Sequence, residues 1–142
     1  MKGWNWKMTN LEKVKERLYA TNASLVVLYA NGEIKEYYQN RIKDIKEILQ
    51  NDEQALKGAS IADKVIGKVA SSILTVAGVK EIYADVMSQY AIPVLEENTI
   101  PYSYKNLVEY VQNNDKTGMC PMENKYKEEI DIHKIYEEMV EG

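Results

Sequence analysis

Cysteine and histidine occur once each among the 142 residues, and phenylalanine does not occur. A single cysteine excludes a disulfide bond within the chain. A catalytic zinc ion generally needs three protein ligands drawn from histidine, cysteine and carboxylate side chains. The chain has no CxxC or HxE motif, so the usual site of a zinc deaminase cannot form. The sequence therefore predicts no metal site and no cofactor.

Positive charge is in the minority, with 18 lysine and arginine residues against 22 acidic residues and a net charge of −4. A broad surface for a nucleic acid polymer is not expected, because phosphate backbones are bound by clustered cations. A small phosphate pocket needs only one or two cations, so it remains compatible with this charge. The motifs GxxxxGK[ST], GxGxxG, GxSxG and HExxH are missing.

Long apolar runs are also missing. No run approaches the ~20 residues of a membrane-spanning helix. The first ten residues, MKGWNWKMTN, lack the apolar segment of a signal peptide. We expect a cytoplasmic protein without membrane contact.

Hydrophobic spacing and turn signals predict alternating helices and strands. The predicted strands cover residues 24–30, 33–38, 79–86 and 100–104. The predicted helices cover residues 10–21, 42–49, 60–77, 88–98 and 107–112, and the segment after Pro121. Thr9 with Glu12 predicts a capping box at the start of the first helix, and Asn31-Gly32 predicts a tight hairpin turn. This order predicts a single domain over residues 1–142, a three-layer α/β/α sandwich with a mixed sheet. Residues 1–8 and 125–142 are interpreted as an N-terminal extension and a helical C-terminal extension.

The start of the predicted central helix, SIADKVIGK, offers the first candidate site. Helical spacing would put Asp63 beside Gly67, and Lys64 one turn before Lys68. Two ammonium groups at the N-terminus of a helix suit a bound anion. The same lysines also fit a solvated helix face, with Asp63 as a simple cap, and this interpretation suits the stretch better when it is taken alone.

Ser88 offers a second candidate, because it follows a predicted strand where ligands bind in open α/β sheets. Taken alone, Ser88 is more simply a helix N-cap.

The stretch TGMCPMEN contains the third candidate. Pro121 suits the first position of a helix, which makes Cys120 its N-cap. A helix end lowers the pKa of a thiol, whereas Glu123 nearby opposes thiolate formation. Glu123 could also reach back to the N–H of Cys120. A buried, inert cysteine remains the alternative.

These stretches, DKVIGKVAS, the junction at Ser88 and TGMCPME, resemble a small prokaryotic family of unknown function. That family is similar in fold to cytidine deaminases but lacks their zinc signature, and the resemblance covers residues 10 to 124. It implies a deaminase-like pocket formed by residues in the matching motifs. They are Asp63, Lys64, Lys68, Ser88, Cys120 and Glu123. The sequence departs from the family pattern at Val69-Ala70-Ser71-Ser72, where a run of alanines is expected.

Three functions remain open. The first is a zinc-free pocket that binds a small anionic ligand, such as a nucleotide or nucleoside derivative, with Cys120, Asp63 and Glu123 as catalytic candidates. Lys64, Gly67, Lys68 and Ser88 would then bind the ligand. The second is a non-catalytic regulatory or scaffolding domain that acts through its terminal helices, with Trp4, Trp6, Tyr136 and Met139 as anchors. The third is a covalent thiol function at Cys120. Whether the protein is an enzyme and whether it forms a homo-oligomer are left open.

Overall fold

The computed structural model describes residues 8–39 and 42–142. Within them, five strands form one sheet in the order β2-β1-β3-β4-β5. The strands are β1 (Leu25–Leu28), β2 (Ile34–Tyr37), β3 (Ser60–Ile66), β4 (Glu81–Ser88) and β5 (Tyr102–Val108). β1 runs antiparallel to β2 and to β3, whereas β3, β4 and β5 are parallel. The predicted α/β class and mixed sheet are confirmed.

The helices of the described chain are short. They are α1 (Asn10–Ala20), α2 (Lys43–Asn51), α3 (Lys68–Ala77), α4 (Ile92–Glu97), α5 (Pro121–Tyr126) and α6 (Ile132–Tyr136), and a terminal π-helical turn (Glu137–Glu141) continues α6. None of them is long and apolar enough to cross a bilayer. α1 begins with the predicted capping box, in which Thr9 and Glu12 each accept the other's backbone N–H.

The sheet separates two apolar cores. On one face, Val14 and Leu18 of α1 pack on side chains of β1, β3 and β4. On the other face, a larger core joins the sheet to the remaining helices. Helices therefore lie on both faces of the sheet, as expected for a three-layer arrangement.

β1 and β2 form the predicted hairpin. Its turn contains Asn31-Gly32, and Gly32 has a φ of +94°. Such a positive φ favours glycine, because a Cβ atom would be strained there. The turn signal was therefore sufficient to predict this local element.

The prediction of one helix over residues 60–77 is wrong at its start. Residues 60–66 form β3, which lies between β1 and β4 at the centre of the sheet. A strand that is covered on both faces has apolar residues at consecutive positions, without the alternation of a half-exposed strand. In β3, the side chains of Ile61, Ala62 and Ile66 are fully buried. Ser60 begins this strand, and its hydroxyl donates to Glu81 at 2.5 Å.

The chain after β3 also differs from the prediction at two boundaries. β4 extends to Ser88, so this residue ends a strand and does not begin a helix. β5 extends to Val108, so the predicted helix over 107–112 is wrong. Residues 109–120, called the strap below, turn back on themselves and are joined by a bridge between Gln112 and Met119.

The C-terminal helices belong to the main core. Ile135, Tyr136 and Val140 are buried in it, and α6 packs on α3. Met139 packs against the same core. Two of the anchors expected for a scaffolding surface are therefore engaged within the domain. The other two, Trp4 and Trp6, and nearly all of the expected N-terminal extension lie outside the described residues.

Candidate functional site

A cleft of about 1040 Å³ lies at the carboxyl ends of the parallel strands. Its walls come from the last residues of β3, the start of α3, the strap and the start of α5. Sites for small ligands are commonly found at this end of an α/β sheet, because loops and helix starts converge there. Five of the seven residues predicted for the site line it: Asp63, Lys64, Gly67, Cys120 and Glu123.

Asp63 is a buried carboxyl group in this cleft. It lies on β3 opposite Leu25, and the residue is only 6% exposed. Its Oδ1 accepts the N–H of Val65 at 3.2 Å. Burial raises the pKa of Asp63 to about 7, with a smaller contribution from Asp44, while the N–H groups of Val65 and Lys64 oppose the shift. At neutral pH the carboxyl group can therefore either accept or donate a proton.

Glu123 holds the strap against the start of α3. The residue is 3% exposed, and its two oxygens accept the N–H of Lys68 at 2.7 Å and the N–H of Val111 at 2.6 Å. The prediction that Glu123 bonds to the N–H of Cys120 is wrong, because that group donates to the carbonyl oxygen of Val111 at 2.7 Å. Both carboxylate oxygens already have backbone donors, which gives Glu123 a clear role in positioning the strap.

The two hydrogen bonds from Lys68 and Val111 to Glu123, called the clamp below, are sterically possible because residue 67 is a glycine. A Cβ atom on Gly67 would lie 2.6 Å from Oε1 of Glu123 and 2.6 Å from Cγ2 of Val111. Real Cβ atoms essentially never approach other atoms so closely. This close approach requires glycine at position 67. The missing side chain leaves room for Glu123 and Val111 in the cleft wall.

Cys120 is the N-cap of α5, with Pro121 at the first helical position, as predicted. Its thiol is free, and the residue is partly exposed in the cleft. Cys120 is thus a residue of the cleft wall and not a fully buried core residue.

Lys68 does not line the cleft. It is the first residue of α3 and is buried, and its Nζ donates to the carbonyl oxygen of Lys127 at 3.3 Å. Burial lowers the pKa of Lys68, while the carboxylates of Glu129, Glu123 and Glu97 oppose the shift. The predicted pairing of Lys64 with Lys68 is wrong, because Lys64 lies on a strand and Lys68 on a helix.

Ser88 is also absent from the cleft wall. It is fully buried at the end of β4, and its hydroxyl oxygen accepts the N–H of Tyr90 at 3.2 Å. Lys64 does line the cleft, and it is exposed. It is the one predicted lysine that is available to a ligand there.

The first turn of α3 and the strap contribute residues that sequence reasoning missed. Val69 and Ala70 line the cleft, and the N-cap of their helix is Gly67, which offers no side chain to their N–H groups. Lys116 in the strap lines the cleft as well and has a φ of +59°. Gly67, the N-cap of α3, is the sequence signal for the start of this helix. The prediction of a helix that begins at residue 60 placed Gly67 inside the helix, where this signal is lost.

Apolar side chains complete the cleft. Val65, Leu107 and Met122 line it, although they are 41%, 48% and 43% exposed. Large apolar side chains that are exposed in one concave surface indicate a binding site more often than isolated ones do.

The described residues contain no cluster of side chains that could bind a metal ion. Within residues 8–39 and 42–142, no group of three or more histidine, cysteine, aspartate or glutamate residues is arranged to hold a metal ion.

Comparisons with known proteins identify the family. The family model for TM1506, described as a domain of unknown function (DUF1893), matches residues 13–141. The match includes the C-terminal helices and so extends beyond residue 124, where the resemblance in the motifs ends. No curated protein matches the sequence.

A solved structure shows the same fold. The crystal structure of a DUF1893 family protein (TM1506) from Thermotoga maritima is 27% identical in sequence and superposes with a TM-score of 0.82. The alignment covers 94% of this chain and 90% of that one. This chain therefore belongs to the DUF1893 family of unknown function.

Proposed function

We propose that this protein binds a small organic anion, of the nucleotide or nucleoside class, in the cleft at the carboxyl ends of the parallel strands. The observation that carries the proposal is Asp63, a carboxyl group that is almost completely buried and still lines a large cleft. Burying a carboxyl group without a charged partner is costly, so the position is better explained by a ligand than by stability.

The walls of the cleft suit a planar heterocycle. Val65, Leu107 and Met122 present apolar surface to it. A ring with nitrogen atoms on its edge would bury its faces against these side chains and direct one edge towards Asp63. With a pKa near 7, Asp63 can accept a hydrogen bond from a ring N–H or donate one to a bare ring nitrogen.

The anionic part of the ligand has donors nearby. The N–H groups of Val69 and Ala70 lie in the first turn of α3, where the helix dipole favours negative charge. Lys64 and Lys116 line the same cleft. These groups take the role that the sequence had suggested for Lys64 with Lys68.

We further propose a cytidine-deaminase-like fold, on the basis of the motif resemblance. A hairpin followed by three parallel strands, with the ligand at the start of α3, is compatible with this assignment. In it, Asp63 exchanges a proton with the ligand, Cys120 borders the ligand, and Glu123 positions the strap.

Ligand-induced thermal stabilisation tests the proposal. The full chain is heated with free nucleobases, nucleosides and nucleoside monophosphates at pH 7. A ligand present at 100 times its Kd raises the free energy of unfolding by about 2.7 kcal/mol. We expect a monophosphate to stabilise the protein more than its nucleoside does. The effect should be lost in Asp63→Asn and retained in Asp115→Asn, a matched change at an exposed residue of the strap. If no compound shifts the melting temperature, or if Asp63→Asn responds as the wild type does, the proposal fails.

A further inference from the structure

A second concave surface lies on the face of the sheet that α1 covers. This groove, of about 420 Å³, is lined by Lys15, Tyr19, Tyr83, Ser103, Tyr104 and Lys105. α1 packs chiefly on β1 and β3, while residues 103–107 of β5 are exposed. The groove therefore lies between a helix and the uncovered edge of the sheet, apart from the cleft described above.

The floor of the groove is a fixed chain of hydrogen bonds. The hydroxyl of Tyr19 donates to Oδ1 of Asp85 at 2.5 Å, and the hydroxyl of Tyr83 lies 2.7 Å from that of Tyr19. Each phenol has a single proton, so Tyr83 must donate to Tyr19. A phenol keeps its proton at neutral pH, and partial burial together with the bond to Asp85 raises the pKa of Tyr19 further. The carboxylate of Asp85 thus accepts a hydrogen bond from a phenol.

Two lysines reach over this floor from opposite sides. Nζ of Lys15, on α1, lies 4.9 Å from the ring centroid of Tyr83. Nζ of Lys105, on β5, lies 5.7 Å from the ring centroid of Tyr19. Neither lysine forms an ion pair with any residue that the structure describes. Each ammonium group touches a neutral aromatic ring on one side and keeps donors for a ligand on the other.

We propose that this groove binds a planar anion, an aromatic ring that carries a phosphate or carboxylate group. Lys15 and Lys105 bind the anionic group, together with the hydroxyl of Ser103, an exposed residue of the groove. The ring of Tyr19, which is 47% exposed, provides a face on which the aromatic ring of the ligand stacks. Hydrogen bonds between ammonium groups and an anion are stronger than neutral ones, which gives the anionic group most of the binding energy.

Titration of the full chain with phenyl phosphate, benzoate and phenol, followed by NMR of the backbone amides, tests this site. We expect phenyl phosphate and benzoate to shift the amide signals of β5 and of α1 near Tyr19, and phenol to bind at least about tenfold more weakly. The double change Lys15→Gln with Lys105→Gln should weaken phenyl phosphate by at least about tenfold.

The control removes the same charge elsewhere, at the exposed lysines Lys43 and Lys80. Lys43→Gln with Lys80→Gln should leave binding within about twofold of the wild type. Lys105→Gln alone, on the exposed strand β5, provides a second groove variant that does not alter α1. The proposal is overturned if phenol binds as well as phenyl phosphate does. It is also overturned if the groove variants bind as the control does, or if the shifted signals lie at the cleft. The first two results do not bear on the ligand of the cleft, whereas the third would place the anion there.

Discussion

Replacing Asp63 with asparagine should remove a loss of stability that the wild-type protein suffers as the pH rises. Asparagine keeps the shape of the side chain but cannot ionise. Burial raises the pKa of Asp63 from 3.8 to about 7. Between these two values the folded protein keeps a proton that the unfolded chain has already released. The contribution of Asp63 to the free energy of unfolding therefore falls as the pH rises from about 4 to 7 and is level above about 8.

The size of this effect follows from the shift in pKa. A rise of about three units corresponds to roughly 4 kcal/mol, because each unit is worth 1.36 kcal/mol. The variant lacks this dependence. Its stability relative to the wild type should therefore increase by roughly 4 kcal/mol between about pH 3.5 and 8.

Urea denaturation of both proteins across this pH range measures the difference. Other titrating groups are common to the two proteins and cancel in the comparison. Asp115→Asn, at an exposed position, should follow the wild type at every pH. If the stability difference between Asp63→Asn and the wild type stays constant with pH, Asp63 ionises freely in the folded state. The reasoning about the buried carboxyl group would then be refuted.

Three further predictions concern the clamp and the thiol. Gly67→Ala should lower the free energy of unfolding by about 2 kcal/mol or more in urea denaturation, because its Cβ would clash with Glu123 and Val111; an unchanged midpoint would contradict the close contact. Glu123→Gln should cost about 2 kcal/mol in the same assay, since its NH₂ group would face the N–H of Lys68 or of Val111; equal stability would show that the two hydrogen bonds are dispensable. Cys120 should react with an alkylating reagent in the folded protein, and a ligand in the cleft should slow that reaction at constant pH; a thiol that reacts only after unfolding would place Cys120 outside the cleft.

Local signals in the sequence were sufficient wherever one short motif determines an element. The capping box at Thr9, the turn at Asn31-Gly32 and the Cys120-Pro121 helix start all occur as predicted. Each depends on hydrogen bonds or backbone angles within a few residues, so no tertiary information is needed.

Tertiary context decided the elements that were mispredicted. Residues 60–66 have an apolar pattern that fits a helix face, but they form a strand because β1 and β4 pair with them on both sides. Such pairing involves residues far apart in sequence and overrides local propensity. The same error moved Lys68 into the candidate site, although its ammonium group bonds to Lys127.

The candidate site was predicted in part for a different reason. Asp63, Lys64, Gly67, Cys120 and Glu123 do meet in one cleft. Their roles could not be derived from spacing, because the clamp between Glu123, Lys68 and Val111 joins three separate segments.

Because the pKa of Asp63 is raised to about 7, its carboxyl group can take up or release a proton near neutral pH. A ligand that prefers one form of the carboxyl group must change the number of protons that the protein holds. Its observed binding enthalpy will then contain the ionisation heat of the buffer, in proportion to the protons transferred. If the ligand prefers the protonated carboxyl group, its affinity will fall by up to about tenfold per pH unit above pH 7 and stay constant below it. If it prefers the ionised group, the affinity will fall below pH 7 and stay constant above it. Calorimetry in two buffers of different ionisation heat would count those protons and indicate which form of Asp63 the ligand selects.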